Sequence, residues 1–242
     1  MCEFATSPMT GHSTNSPQLS IVVPVRNERT LLPQFLQQIP SKKETELIIV
    51  DGQSTDGSWE YLNAQKQLRV ISSSVGRATQ QNRGAQEANG SYLLFLHVDS
   101  QLSSKAWEAL YKAIHQGVAA ACFRLAFDAS HPLLKLAAYG SRWPHILFRG
   151  GDQGLLVRQK LFHQLNGFDE RYTVCEDLEL IRKLQQNSEL QVIPAKLTTS
   201  ARRFLKHGVV QTLFHFRVIH FLHLCGVKPK YLSSYYQRWV GH

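Results

Sequence analysis

Short apolar segments alternate along the chain with longer segments in which apolar residues recur at helical spacing. Apolar runs without polar alternation predict strands buried on both faces, and they occupy residues 19–25, 47–50, 68–71, 92–97, 118–127, 154–157 and 190–193. Helical spacing predicts helices after Asn27, which can cap one, near Ser58, and over 77–88, 103–115, 158–165, 176–186 and 205–224. Strands and helices that alternate with short connections predict an α/β fold with a mostly parallel central sheet flanked by helices.

Two of the predicted strands are followed by an aspartate. Asp51 comes after LIIV at 47–50, and Asp99 comes after LLFLHV at 93–98. The carboxyl ends of parallel strands share one edge of the sheet, and ligands of open α/β sheets bind beyond that edge. One aspartate at a strand end is usually a turn or cap residue. Two of them in this order favour a binding site.

Further candidate chemistry lies in the second half of the chain. A glycine-rich cluster, GGDQG, covers 150–154, and adjacent acids Glu176 and Asp177 begin a predicted helix, whose positive end favours their ionised forms. Residues 132–148 are apolar, aromatic and basic, and they predict a helix broken before Pro144. This segment fits a substrate-cleft wall or a membrane-facing patch, and a core helix fits it equally well.

The net charge of +9 is concentrated in the C-terminal tail. After Glu189 the chain has eight lysines and arginines and no acid. Such a tail suits phosphates, anionic lipid or nucleic acid, and a solvated basic face is the plain alternative. No nucleic acid is expected, because the tail lacks regularly interleaved aromatic and basic residues.

The predicted helix over 205–224 has two unlike faces. Val210, Phe214 and Phe221 share an apolar face, while His215 and His223 lie opposite. Arg217 intrudes on the apolar side, which favours a packed or interfacial helix over a spanning one.

Length and composition predict one domain with a basic tail. We expect a flexible N-terminus over 1–18, which has no signal-peptide pattern, a folded domain over 19–205, and a basic amphipathic helical tail over 206–242 packed on the domain or at an interface. The four cysteines have no C-x-x-C spacing, so neither a zinc site nor a disulfide framework is indicated. The expected location is the cytoplasm, with peripheral contact to an anionic membrane as an open alternative.

The order of these motifs resembles that of family 2 glycosyltransferases, which have a GT-A fold. The resemblance covers roughly residues 19–205, and it is carried by SIVVPVRNE (20–28), VDGQSTDG (50–57), GRATQQNRGA (76–85), LFLHVDS (94–100), GDQG (151–154) and EDLEL (176–180). TTSARRFLKHG (198–208) and HVDS also resemble a bacterial subgroup associated with radical-SAM/selenodomain proteins and linked to arsenosugar biosynthesis.

The resemblance implies a donor site for a nucleoside diphosphate sugar. The residues implied for the nucleotide are Asp51 on the base or ribose, Pro24, Arg26 and Glu28 at the edge of the first strand, and Arg77 and Asn82 over the nucleotide. The leaving diphosphate also needs positive charge. Arg202, Arg203, Lys206 or His207 of the basic tail can close over it.

The resemblance also implies a metal ligand and a base. Asp99 matches the last acid of the D-x-D motif that binds a divalent metal, but His97 stands where the first acid would be. One carboxylate with one imidazole is a softer site than two carboxylates, so Mn²⁺ becomes more plausible relative to Mg²⁺, and His207 could complete the shell. Asp177 matches the catalytic base.

Asp152 and Gln153 match the acceptor-side loop. The function expected is therefore metal-assisted, inverting transfer of a sugar from a nucleoside diphosphate to a hydroxyl acceptor. Two rivals remain: a nucleotidyltransferase, and a non-enzymatic basic module that binds membrane or nucleic acid. The first rival is expected to have a glycine-rich loop after the first strand, whereas residues 23–29 contain no glycine.

Overall fold

Eight strands form one sheet in the computed structural model, which describes residues 17–240. Their bounds are β1 Leu19–Val25, β2 Thr45–Asp51, β3 Arg69–Ser72, β4 Tyr92–Phe95, β5 Gln101–Leu102, β6 Ala120–Phe127, β7 Leu155–Arg158 and β8 Leu190–Thr199. The spatial order is β3-β2-β1-β4-β7-β6-β8-β5. Neighbours among β1 to β4 run parallel, as do β6 and β8, while β7 is antiparallel to both of its neighbours and β5 to β8. The expected α/β fold is confirmed.

The described residues form ten helices, of which seven lie between strands and the last three follow β8. They are α1 Leu32–Gln38, α2 Ser58–Asn63, α3 Arg77–Gln86, α4 Ser104–His115, α5 Pro132–Tyr139, α6 Gln159–Gln164, α7 Glu176–Asn187, α8 Arg202–His207, α9 Val209–Leu224 and α10 Pro229–Trp239. Short 3₁₀ turns cover Gly140–Arg142, Ile146–Phe148 and Gly151–Gln153. Within residues 17–240, none of the helices combines the length and hydropathy that a membrane span needs. The N-terminal segment expected to be flexible lies, over residues 1–16, outside the described part.

The central strands are buried on both faces, as their unbroken apolar runs predict. In β1, Ile21 and Val23 face a core formed with α1 and α4, while Val22 faces a second core formed with α3, α6 and α7. Each such side chain contributes about 1.5–3 kcal/mol when it leaves water. The two cores fix the sheet between its helical layers, so the loops at its edge have a rigid base.

Asn27 does not cap the first helix, and that prediction is wrong. Its backbone is left-handed, with φ 56°, and α1 starts only after Leu31. The side chain of Asn27 instead accepts a hydrogen bond from Thr55 N at 2.7 Å, and its own N–H donates to Ser54 Oγ at 2.9 Å. Asn27 therefore ties the loop after β1 to the loop after β2, at the sheet edge where ligands are expected.

β8 continues six residues beyond its predicted end at Ile193. The strand passes through Pro194 because its pairing with β6 is irregular there: Phe123 opposes Ile193, and the next residue, Arg124, opposes Lys196. A bulge lets a proline, which has no N–H to donate, lie inside a strand. The longer strand carries the chain back to the site edge, where α8 begins.

The predicted helix over 205–224 is two helices, separated at Gly208. The φ of Gly208 is +86°, a left-handed value that favours glycine and that ends α8. The expected boundary at residue 205 between domain and tail falls inside α8, so the tail and the domain share this helix.

Candidate active site

The carboxyl ends of β1 and β2 meet the first turns of α3 at one edge of the sheet. Gln80 of α3 donates from Nε2 to both Val25 O and Val50 O, at 2.8 Å each, which closes the gap between the two strand ends. Asp51 is 2% exposed, and its Oδ2 accepts from Ser54 N at 3.0 Å. Its Oδ1 is buried and has no hydrogen-bond partner among the described residues, so it has the capacity to accept one more bond.

The C-terminal segment joins this edge through an ion pair. Arg202, the first residue of α8, donates from Nη2 to the two carboxylate oxygens of Glu28 at 2.8 and 3.1 Å. Two other residues expected to frame a nucleoside lie beside it: Pro24 pairs with Val50 within the sheet, and Arg26 is exposed just beyond β1. The long β8 strand and α8 therefore bring a distant guanidinium to the strand edge.

Asp99 lies in the turn after β4, and its surroundings shift its pKa. Burial, together with the charge of Asp152, raises the pKa of Asp99 to about 6, while Arg202 acts in the opposite direction. Asp99 and Asp152 are therefore near enough to repel each other. A cation bound between them would relieve this repulsion.

Glu176 and Asp177 are adjacent in sequence but have different surroundings. Glu176 is 1% exposed, and its Oε1 accepts from Arg77 Nη1 of α3 at 3.1 Å. Burial, and next the charge of Glu176, raise the pKa of Asp177 to about 7, against the opposing influence of Arg77. Asp177 can therefore accept a proton near neutral pH, whereas Glu176 forms an ion pair with the guanidinium of Arg77.

The Gly151–Gln153 turn lies against Asp177 and His97. A Cβ on Gly151 would lie 2.8 Å from Asp177 Oδ2 and 3.2 Å from His97 Nε2, so both side chains face the backbone of this turn. Burial, with Arg77 and Arg203 nearby, lowers the pKa of His97 to about 3. His97 is therefore neutral, which is the form in which an imidazole can bind a metal.

If this site carries out the sugar transfer that the resemblance implies, with Asp177 as its base, Gly151→Ala should reduce the rate at least about tenfold with little change in thermal stability. The added methyl group would meet the side-chain tips of Asp177 and His97 rather than backbone atoms. A displacement of about 1 Å in a reacting group can cost 10²-fold in rate. Transfer rate and melting temperature are measured together.

Gly150→Ala is the matched control. A Cβ at Gly150 would have nothing within 4 Å, and its φ of −178° is ordinary extended backbone. Equal losses of rate in the two variants would contradict the placement of Asp177.

A divalent cation fits the residues at Asp99, although they do not form a complete cage. Among residues 17–240 no group of three or more His, Cys, Asp or Glu side chains is close enough to hold a metal alone. Mg²⁺ and similar ions are commonly held by one or two carboxylates together with substrate phosphates. The mutual repulsion of Asp99 and Asp152 fits that arrangement.

Several predicted site residues have other partners. The side-chain amide of Asn82 donates to Phe168 O and accepts from Phe168 N, at 2.9 Å each. It also donates to the carboxylate of Glu170. Gln153 is 4% exposed and donates to Phe148 O at 2.5 Å, so it braces the turn that carries Asp152. The roles expected for Asn82 and Gln153 in binding stay predictions.

The basic residues of α8 divide into two pairs. Arg202 reaches Glu28, and Arg203 is close enough to His97 to affect its pKa. Lys206 and His207 at the end of α8 make no side-chain hydrogen bond or ion pair with the residues from 17 to 240. Their expected contacts with phosphate and metal stay predictions.

The sequence did not predict the structural role of Arg149 or the ion pair between Arg77 and Glu176. Arg149 is 1% exposed and donates from Nη2 to Ser141 O and Trp143 O at 2.5 and 2.7 Å, holding the 3₁₀ turns beside the site. A single arginine in a mixed segment gave no signal of this role. The pairing of Arg77 with Glu176 joins residues 99 positions apart, and only the neighbouring acids at 176–177 pointed to it.

Sequence comparison identifies relatives over part of the chain. The family model "Glycosyl transferase family 2" matches residues 20–162. A GalNAc(5)-diNAcBac-PP-undecaprenol beta-1,3-glucosyltransferase of Campylobacter jejuni is 30% identical over 43% of this chain and 36% of its own. A PGL/p-HBAD biosynthesis glycosyltransferase of Mycobacterium tuberculosis is 27% identical over 67% of each chain. A poly(ribitol-phosphate) beta-glucosyltransferase of Bacillus spizizenii is 33% identical, and the match spans only 16% of its length.

Solved structures with the same fold include two glycosyltransferases. S. aureus TarS 1-349 in complex with UDP-GlcNAc superimposes with a TM-score of 0.61 at 18% identity, covering 76% of this chain and 58% of that one. The mannosyltransferase PcManGT from Pyrobaculum calidifontis, in complex with GDP-Man and Mn²⁺, gives 0.64 at 18% identity, covering 92% and 70%. The sheet order and these neighbours identify a GT-A fold, and the chain spans only part of the length of several relatives that it matches. The family match, which covers residues 20–162 and therefore more than half of the chain, shows that this chain belongs to glycosyl transferase family 2.

Proposed function

We propose that the protein transfers a sugar from a nucleoside diphosphate to a hydroxyl group of an acceptor, with inversion at the anomeric carbon and with Asp177 as the base. One observation supports this most strongly. Asp177, an acid with a pKa raised to about 7, lies against the Gly151 turn, while neighbouring Glu176 is held by Arg77. A base whose pKa is near the working pH is the most effective proton acceptor.

The proposed step is a single displacement. The acceptor oxygen attacks the anomeric carbon, and its proton passes to a carboxylate oxygen of Asp177. The bond from the anomeric carbon to the diphosphate breaks, and its electron pair stays on the phosphate oxygen. We assign Arg202 and Arg203 to stabilise that leaving group with their positive charge, and their proximity to Glu28 and to His97 supports this assignment.

The nucleoside would lie over the edge formed by β1 and β2. The unpartnered Oδ1 of Asp51 can accept a hydrogen bond from the base or ribose, and Pro24, Arg26 and Glu28 line the adjacent strand end. TarS and PcManGT were solved with UDP-GlcNAc and GDP-Man respectively, which supports a sugar nucleotide donor here.

A divalent cation, Mn²⁺ or Mg²⁺, would be held by Asp99 together with Asp152. When bound, the ion supplies positive charge to the diphosphate. Neutral His97 lies beside the same turn and is chemically able to contribute a nitrogen ligand. The presence of Mn²⁺ in PcManGT supports this assignment.

The narrower resemblance, to transferases associated with radical-SAM/selenodomain proteins and linked to arsenosugar biosynthesis, stays a prediction that rests on the segment 198–208 and on HVDS.

A donor screen tests the proposed function. We expect one nucleoside diphosphate to raise the melting temperature by about 5–10 °C when its concentration is 100 times Kd, and to do so only with Mn²⁺ or Mg²⁺. The matching sugar nucleotide should be turned over with release of the nucleoside diphosphate. Release of pyrophosphate would instead identify a nucleotidyltransferase, and the failure of every nucleotide to bind would contradict the donor site.

A further inference from the structure

Helix α9 turns an apolar stripe toward solvent. Val210, Phe214, Phe221 and Leu224 are 68%, 62%, 66% and 41% exposed. Their spacing places them within one narrow sector of the helix, with Arg217 among them. Large apolar side chains that are contiguous and exposed mark an interaction surface.

The inward face of α9 holds two buried histidines beside apolar Val209 and Ile219, and specific partners fix the histidines in place. His215 Nδ1 lies 2.8 Å from Tyr235 Oη of α10, and its ring stacks on Trp239 at 5.2 Å between centroids. His223 is 5% exposed, with Nε2 3.4 Å from the carboxylate of Glu179 in α7. Rotating the helix to bury its apolar stripe would break these contacts, so the outward orientation of the stripe is built into the fold.

A neighbouring segment extends the stripe into a larger surface. Leu136, Tyr139 and Trp143, which are 69%, 51% and 48% exposed, line a groove of about 370 Å³ between α5, the 3₁₀ turns and α9. Arg217 lines the same groove and donates to Leu147 O at 2.7 Å, which joins the two segments. We call the eight residues the apolar patch: Leu136, Tyr139, Trp143, Leu147, Val210, Phe214, Phe221 and Leu224.

The two chain segments that form the apolar patch carry positive charges only. Neither 129–151 nor 190–242, the segments that form it, contains an aspartate or glutamate. Lys135 and Arg142 are exposed beside it, and the guanidinium of Arg142 lies 4.5 Å from the ring of Tyr139. Aromatic and aliphatic groups with basic residues at their border are typical of surfaces that enter the headgroup region of an anionic bilayer.

We propose that the apolar patch docks the protein on bilayers that contain anionic phospholipid. Phe214 and Phe221 enter the boundary between headgroups and acyl chains, and Lys135, Arg142 and Arg217 bind lipid phosphates. This docking goes beyond sugar transfer and does not depend on it, because neither donor nor acceptor takes part. It would also confine the enzyme to acceptors that are presented at a membrane surface.

Co-sedimentation with vesicles tests the proposal. The full-length protein should sediment with vesicles of phosphatidylcholine mixed with phosphatidylglycerol, bind vesicles of phosphatidylcholine alone at least about tenfold more weakly, and dissociate as salt is raised. The double variant Phe214→Ser and Phe221→Ser should lose at least about tenfold in vesicle affinity. Its helix content and melting temperature should stay near those of the wild type, because both rings are more than half exposed.

Two further double variants distinguish binding through the apolar patch from nonspecific attraction by the net charge of the protein. Lys135→Gln with Arg142→Gln should weaken binding about fivefold for each charge removed. Lys105→Gln with Lys112→Gln removes the same charge from exposed positions on α4, outside the apolar patch, and should leave binding unchanged. Equal effects of both pairs would overturn the proposal, as would absence of vesicle binding. Self-association that the phenylalanine variants abolish, without lipid binding, would show that a second copy covers the patch.

Discussion

Replacing Asp177 with Asn should lower the rate of sugar transfer by about 10²–10⁴-fold while donor binding is retained. The amide has nearly the shape of the carboxyl but cannot accept the proton of the acceptor hydroxyl. Nucleotide affinity should hold because Asp51 and the strand edge that would contact the nucleotide are unchanged. Single-turnover transfer and nucleoside diphosphate titration are the two measurements, and loss of both together would indicate a structural role for Asp177.

The pH dependence of the wild type provides an independent test of the same residue. Because burial raises the pKa of Asp177 to about 7, kcat/KM should increase as pH rises through about 7, where the carboxyl becomes a base. The residual activity of Asp177→Asn should lack this increase.

The contribution of Asp177 to the free energy of unfolding should fall as pH rises, whereas kcat/KM should increase. The folded protein binds the Asp177 proton more tightly than the unfolded chain, so this group destabilises the fold as pH rises from about 4 to above 7. Without donor or metal, Asp177→Asn should therefore be more stable than the wild type at pH 8, by about 1–4 kcal/mol in the free energy of unfolding. The difference should vanish below about pH 4.

Replacing Asp99 with Asn should remove metal dependence together with activity. If Asp99 holds the cation that neutralises the diphosphate, its loss removes several kcal/mol of stabilisation, which corresponds to at least about 100-fold in rate. Nucleoside diphosphate affinity, titrated with and without Mn²⁺, should depend on the ion in the wild type and be independent of it in the variant.

Glu108→Gln is the control for Asp99→Asn. Glu108 is exposed on α4, so its substitution removes one negative charge without touching the strand edge. It should leave both rate and metal dependence unchanged. Retention of Mn²⁺-dependent binding by Asp99→Asn would rule out Asp99 as the ligand.

The sequence was sufficient for much of the sheet and for the edge that carries the site. Unbroken apolar runs located most of the strands, and the aspartates after two of them could be assigned to one edge because parallel strands end together. Asp51 indeed lies at the end of β2, and Asp99 follows β4 two strands away. Strand direction was harder: β7 has an apolar pattern like that of β4 but runs antiparallel to it.

The orientation of helix α9 and the ion pair between Arg77 and Glu176 could be determined only from the structure. Apolar spacing in α9 grouped Val210, Phe214 and Phe221 on one side, and the structure leaves them exposed, whereas the buried side holds Val209 and Ile219 as well as the histidines. Periodicity alone does not tell which face turns inward. The histidines face inward because Tyr235, Trp239 and Glu179 provide polar and aromatic partners for them, and those residues are far away in sequence. Similarly, only the position of Arg77 distinguishes Glu176 from Asp177.

The helix that bears Asp177 rests on the C-terminal end of the chain. Cys175 and Leu178, on either side of the proposed base, are buried against Ile219 of α9 and Val240 just after α10. A shortened chain lacking these two helices would open a water-filled face directly behind the first turn of α7, and the environment that tunes the acid would change with it. The last two helices therefore pack behind the residue proposed as the base, and their removal should change its pKa.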